Sequence, residues 1–381
     1  MRVLMVSQTF PPLNRTGAPL QALYLTRALG QLGVDVEMLT SCPWKQRTAV
    51  AWPDGIRVRA IPFSDVRGLR GASRFATSIG VGKRLADWDI IHGHALSPMV
   101  LGVALGRGRN GPPMLAKPSI GGDHAEGEIT RITRSPAAKI LRKAAQRIDR
   151  FAILDDLIEA DMEPLGIPQE RLIRVDNGVD LDRFQPASAE EKARIREQHG
   201  LDGRTVVLFC GQLAPRKGLP ELLDAWSAMR GDRHNTVLAI AGKGPLLDRV
   251  NDEVARSDGD IVYLGQQKDI APIMRMSDVL ALPSRFESFG NVIVEALASG
   301  VPVAATRCGI SPRAINEGKS GWLIDDTDTT AIKQTLGHVL ARRESLADLS
   351  AGCREVAEMF SFDRIARRYL EVYDDMLAQR R

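Results

Sequence analysis

The sequence predicts an α/β protein of two domains, each a parallel sheet covered by helices. Three observations predict it. Short apolar runs alternate with amphipathic helical stretches, the order of βαβ units. The alternation breaks after the turn signal Asn177-Gly178 and restarts beyond a polar, charged stretch at 182–200. The length of 381 residues suits two domains of ~100–200 residues, and a hydrophobic fraction of 44% suffices for two cores.

Residues 2–7 read as a buried strand, rich in Val and Leu. Residues 19–32 read as a helix, with Leu20, Leu23, Leu25, Ala28, Leu29 and Leu32 at mostly helical spacing and Gly33 as its stop. Residues 34–40 are the next strand. After the break, strands are expected at 205–210, 236–241, 261–265, 279–283 and 301–306, with helices at 218–229, 245–257 and 291–299. The economical interpretation is two Rossmann-like domains, 1–184 and 185–360, with a ligand cleft facing the carboxyl ends of the strands. Residues 361–379 form an amphipathic helix with a stripe of Ile365, Tyr369, Val372, Tyr373 and Met376, expected to pack on the first domain.

Composition removes several classes. Aromatic residues are only 5%, which disfavours a groove that stacks nucleic-acid bases. The net charge is +4, but residues 1–180 carry 24 Lys and Arg against 18 Asp and Glu, so the first half is the basic one. Cys42, Cys210, Cys308 and Cys353 are scattered without a CxxC pair, and free thiols in a reducing compartment are expected. The opening residues, with Gln8 and Pro11-Pro12, do not read as a signal peptide, and no run reaches the ~18 apolar residues of a membrane span. A cytoplasmic protein, at most peripheral on the inner face of a membrane, is the expectation.

Three stretches carry chemistry, and each lies where a strand passes into a helix. In residues 283–296, a loop bears Glu287, and Gly290-Asn291 then opens a helix holding Glu295. A helix N-terminus offers unpaired N–H groups and partial positive charge, which suits a diphosphate. Glu295 and Glu287 can then address hydroxyls on either side of it. In residues 211–219, Gly211 permits a close turn, and Arg216 and Lys217 stand at a second helix N-terminus, a poor place for cations unless an anion joins them. In residues 7–18, Gly17 would let the backbone approach a ligand. Taken singly, each also reads as surface glutamates, a solvated basic loop or a plain loop glycine.

Together these stretches resemble the large family-four retaining glycosyltransferases of GT-B fold. Glu287 and Glu295 look like that family's E-x7-E signature, and Gly211 with Lys217-Gly218 is similar to its phosphate-binding loop. Asn177-Gly178-Val179-Asp180 with Phe184 resembles its interdomain landmark, and Gly309, Gly318 and Gly321 its later glycines. The resemblance implies a nucleotide diphosphate sugar as donor, held by the second domain, a hydroxyl acceptor on the first, and no metal or other cofactor. Lys217 and Arg216 would grip the phosphates, and Phe289, Gly290 and Asn291 would supply backbone donors. Glu295 would hold the ribose and Glu287 the transferred sugar, while Gly17 and Gly211 let backbone approach the donor. Two departures stand out. Gln212 replaces a common Arg or Lys, and Lys117 stands near an expected His, with Asp123 and His124 following as further acceptor-side candidates.

Other signals point elsewhere. Asp326-Thr327-Asp328 reads as a helix cap rather than a metal-binding D-x-D. His92-Gly93-His94 reads as a strand-end pair lacking a third metal ligand, and Gly242-Lys243-Gly244 lacks the third glycine of a dinucleotide fingerprint. Residues 131–150, with seven cations and one acid among apolar residues, read as a basic amphipathic helix. It is either a solvated face or a contact for anionic lipid, which would fit a lipid-linked acceptor. Two rival functions stay open: a nucleotide-sugar epimerase of the same fold, and a non-catalytic nucleotide-sugar binding protein.

Overall fold

The computed structural model describes residues 1–14, 17–46, 50–64, 66, 69–119, 127–229 and 235–380. The chain divides into two compact units, Met1–Gly178 with Phe362–Arg381, and Val179–Ser361.

The first unit is a seven-stranded parallel sheet ordered β3-β2-β1-β4-β5-β6-β7. The strands are β1 Arg2–Ser7, β2 Asp35–Pro43, β3 Arg57–Phe63, β4 Ile90–His94, β5 Met114–Lys117, β6 Arg150–Ile153 and β7 Leu172–Arg174. Helices cover both faces, so the central strands are buried; Val3 to Val6 of β1 are fully buried. The helix Gly17–Gln31 follows β1 and meets the final helix Phe362–Ala378, whose Ile365, Tyr369, Val372, Tyr373 and Met376 all enter this unit's core. The carboxamide of Gln21 donates to the Gly178 carbonyl at 2.8 Å and accepts from its N–H at 3.0 Å, fixing the backbone at Gly178.

The second unit is a six-stranded parallel sheet ordered β10-β9-β8-β11-β12-β13. Its strands are β8 Thr205–Cys210, β9 Thr236–Ala241, β10 Ile261–Gly265, β11 Val279–Leu282, β12 Val303–Thr306 and β13 Gly321–Ile324. Strand order reverses between β8 and β11, so the connections leaving them turn to opposite sides and open a crevice at their carboxyl ends. At the other ends, the Asp278 carboxylate accepts from Lys192 (2.7 Å), Arg196 (2.6 Å) and the Val206 N–H (2.7 Å). That cluster ties the helix Ala189–Gln198 to both strands.

Two expectations change. The division falls at Gly178/Val179 rather than 184/185, because Val179 already bridges Ser361 and the Phe184 carbonyl is held by Arg354 at 2.6 Å, both within the second unit. Residues 131–150 are not one helix. Helices Glu128–Thr133 and Ala138–Ala145 are separated at Pro136, which cannot continue the helical hydrogen-bond ladder, and the segment then runs into β6.

Burial alone would raise the Asp278 pKa, but Lys192 and Arg196 outweigh it and hold the carboxyl below its usual value. A depressed carboxylate stabilises the fold above its unfolded pKa and loses that contribution as pH falls through the folded one. Asp278→Asn is therefore expected to cost about 2 kcal/mol at pH 7, between the surface and fully buried values for ion pairs. In thermal melts, the gap from the native chain should shrink as pH falls below the usual aspartate pKa of ~3.9. A gap independent of pH would show that Asp278 acts through shape alone.

Candidate functional site

The reversal between β8 and β11 puts two of the sequence-singled loops together. β8 runs through Gly211 into a short turn, Pro215–Lys217, and then the helix Leu219–Ala228. β11 runs through Pro283 and Glu287 into the helix Asn291–Ala298. Gly218 and Gly290 precede the two helices with φ of 65° and 87°, left-handed backbone that suits glycine, and no side chain caps either helix. A side chain at 218 would also place Cβ 1.9 Å from the Pro283 carbonyl oxygen, so the loops meet backbone to backbone. The Arg285 N–H donates to the Arg216 carbonyl at 2.9 Å across the same seam.

The loops are locked by one ion pair. Lys217 Nζ donates to Glu287 Oε1, with side chains only 11% and 8% exposed. Ser284 Oγ donates to the same oxygen at 2.8 Å. Behind it, Thr306 Oγ1 and Cys308 Sγ both donate to the Ser284 carbonyl, and the Ile310 N–H donates to the Phe289 carbonyl at 2.8 Å. The carboxylate thus sits on a floor built by the end of β12. Phe289 itself is buried and packs edge-on to Phe360.

Gly211 does not adopt left-handed backbone; a Cβ there would meet only the Lys217 stem, at 3.9 Å. Its bareness keeps the space beside Lys217 open. Gln212 has a definite task, since its Oε1 accepts from Arg216 Nη2 at 2.9 Å and so fixes the direction of that guanidinium.

Glu295 is half-buried on the second helix, and burial pushes its carboxyl up to about 7; Arg183 opposes that shift and Asp269 adds to it. Arg183 is itself paired with Asp269 at 2.7 Å. Cys210 links the two halves of the site: burial raises its thiol to about 12, with Glu295 adding and Lys217 opposing. Burial first, then Glu287, raises Cys308 too, although its Thr306 contact opposes the shift, so neither thiol is poised as a nucleophile.

In the first unit, Gly17 opens the helix Gly17–Gln31. Lys117 ends β5 directly beside His94 of β4. It is buried, donates to the Asp176 carbonyl at 3.2 Å and lies 5.6 Å from the Tyr369 ring. Burial lowers its ammonium to about 7, against the pull of Asp176. His92 and His94 stack at 4.6 Å, and His92 Nδ1 lies 2.6 Å from the Tyr373 hydroxyl. Burial, then Lys117, lowers His94 to about 3; burial, then His94 and Lys117, holds His92 well below its usual value. Lys117 thus belongs to a polar layer beneath the final helix. Asp123 and His124 lie outside the described residues.

The "Glycosyl transferases group 1" profile matches residues 204–342, and the "Glycosyl transferase 4-like domain" profile matches residues 16–178. A D-inositol 3-phosphate glycosyltransferase of Saccharomonospora viridis is 31% identical, over 99% of this chain and 94% of its own. The chain belongs to the group 1 glycosyltransferases. A GDP-mannose-dependent alpha-(1-6)-phosphatidylinositol monomannoside mannosyltransferase of Mycolicibacterium smegmatis is 35% identical over 50% of this chain and 52% of its own. Anabaena HepE, solved with UDP-glucose, superimposes with a TM-score of 0.77 at 18% identity, covering 98% of this chain and 100% of its own. The fold is therefore that of the GT-B enzymes. The relatives favour transfer over the epimerase and non-catalytic readings.

Several residues of this glycosyltransferase escaped sequence reasoning. Arg183 and Asp269 look like ordinary surface charges. Arg354, which donates to the carbonyls of Leu181, Phe184 and Ala298, anchors the landmark loop to the end of the Glu295 helix from far along the chain. Asp328 caps the helix Thr329–Leu340 by accepting from the Ala331 N–H at 2.8 Å, as its spacing predicts.

The buried ion pair gives Lys217 and Glu287 a structural role. Removing one partner from a buried pair costs about 3–5 kcal/mol, because the other charge is left without compensation. Lys217→Ala is expected to lower the melting temperature, and Lys217→Met/Glu287→Gln to recover most of that loss while transfer stays abolished. Recovery of transfer along with stability would remove both residues from the chemistry.

Proposed function

We propose that this glycosyltransferase moves a hexose from a nucleoside diphosphate sugar to a hydroxyl acceptor with retention of anomeric configuration and without a metal. The observation that carries this reading is the buried Lys217–Glu287 pair between two uncapped helix N-termini. An unpaired helix end and a lysine together favour a diphosphate. They also stabilise the charge that grows on it as the sugar–oxygen bond breaks, the role a divalent cation plays elsewhere. Arg216 is a further phosphate contact. The backbone from Phe289 to Asn291 lies under the diphosphate, and Gly211 leaves it room.

Glu287 then faces sugar hydroxyls and Glu295 the ribose. The acceptor hydroxyl attacks from the side the diphosphate leaves, and its proton passes to a departing phosphate oxygen. One carbon–oxygen bond breaks, one forms, and the configuration is kept. Two relatives are named for phosphorylated inositol compounds, and the first 180 residues are net basic, which supports a phosphorylated acceptor. Such a substrate belongs to the making of cell-surface glycans or glycolipids. The enzyme would then work in the cytoplasm, or at the inner membrane face if the acceptor is lipid-linked.

A panel of nucleoside diphosphate sugars should contain one that raises the melting temperature, since a ligand bound only by the folded state must stabilise it. With phosphorylated polyol acceptors, that donor should release nucleoside diphosphate and yield a retained linkage. Free epimer without acceptor, or binding with no turnover on any acceptor, would replace this reading by one of its rivals.

Glu295 supplies a second test. Only its ionised form accepts fully from a ribose hydroxyl, so affinity for the intact donor should rise as pH increases through about 7. Calorimetry on Glu295→Gln should show weaker binding that is flat over the same range. A native profile as flat as the variant's would place the ribose elsewhere.

A further inference from the structure

The first unit has a second charged feature at the opposite end of its sheet. A groove of about 750 Å³ is lined by Arg107, Arg109, Lys139, Arg142, Lys143, Arg147 and Arg171, with Asp149 as its one acid. Asp149 immediately precedes β6 and Arg171 immediately precedes β7, so the groove lies at the amino ends of these strands, while Ser7, His94 and Lys117 stand at carboxyl ends.

The lining divides into a frame and a free set. Arg107 is buried; it donates to the Pro112 carbonyl at 2.5 Å and to Asp149 at 2.9 Å, and it also holds the Arg147 carbonyl. Asp149 is further engaged by the Met114 N–H at 2.7 Å. Arg147 and Arg171 donate to the carbonyls of Leu105 and Gln146. These groups hold helix ends and strand starts together, as cations near helix C-termini commonly do. The side chains of Arg109, Lys139, Arg142 and Lys143 make no hydrogen bond or ion pair among the described residues. Among the described residues, the one lining carboxylate, Asp149, is spent on the frame. Four unneutralised cations around one concavity repel one another, and a ligand that gathers several negative charges relieves that repulsion.

We infer that this groove binds a clustered-phosphate group, as a second anion site separate from the donor site. The inference goes beyond the transfer reading and does not require it. The phosphates come either from a soluble oligophosphate or from anionic lipid headgroups, and Ile140, 53% exposed between Lys139 and Leu141, is a side chain a lipid surface could cover.

The probe is inorganic tripolyphosphate, titrated calorimetrically into the full chain. Saturable binding that weakens with salt is expected. It should persist in Lys217→Met/Glu287→Gln, which alters only the donor site. Lys139→Ala/Arg142→Ala/Lys143→Ala, all exposed positions, should weaken it about tenfold or more, as removal of three modest ion pairs implies, without lowering the melting temperature. Sedimentation with phosphatidylglycerol or pure phosphatidylcholine vesicles separates the sources. Recovery of the native chain, but not the triple variant, with phosphatidylglycerol alone supports the site and assigns it to headgroups. Tripolyphosphate binding without sedimentation supports it and assigns it to a soluble ligand. Absence of both, or binding unaffected by the triple substitution, overturns the inference.

Discussion

The second unit depends on keeping a lysine and a glutamate together out of water. Lys217 and Glu287 stand seventy positions apart, and their contact joins the two loops that leave the sheet where its strand order reverses. Desolvating two charges is costly, and their attraction offsets that cost only with good geometry and further hydrogen bonds. Ser284 supplies one such bond, and the Ser284 backbone is held in turn by Thr306 and Cys308. The ammonium is therefore preorganised beside two helix N-termini. On the proposed donor reading, a diphosphate would meet a cation already in place rather than one that must be ordered on binding.

Topology explains why the site lies there. In a parallel sheet with helices on both faces, connections close tightly over the carboxyl ends except where successive connections turn to opposite sides. The second unit meets that condition between β8 and β11, and the Lys217 and Glu287 loops are the connections leaving those strands. Asp278, at the far ends of the same pair, fixes how β8 and β11 lie together. Its ion cluster thus holds the same two strands at the ends opposite to the Lys217–Glu287 contact.

Much of this was legible in the sequence, for identifiable reasons. β1, β8 and β9 are buried, largely aliphatic runs with polar flanks, so their limits show in composition alone. The final helix shows its core stripe through spacing. By contrast β7 is three residues long and ends in an exposed Arg174, which no apolar run announces. At 131–150 the charge pattern continued across Pro136 and hid a break in the backbone. Both charges of the ion pair were singled out, each for its own part of a ligand. Their mutual contact was not legible, since pairing at that separation follows from strand order and leaves no local trace. Arg183 and Arg354 were missed for the same reason.

The distribution of charge in the first unit separates two tasks that its composition merges. Its positive excess marks the first half of the chain as the basic one. At the carboxyl ends of β4 and β5, however, the cationic groups are buried and pushed toward neutrality: His92, His94 and Lys117 share a layer sealed by Tyr369 and Tyr373. Such a layer stabilises the packing of the final helix and projects little field. Arg109, Lys139, Arg142 and Lys143 instead line a groove at the amino ends of β6 and β7. A field decays over roughly 8–10 Å at physiological salt, so it acts where its charges are exposed. The cations of the groove thus act at the end of the sheet opposite to the strand ends that α/β folds reserve for substrates.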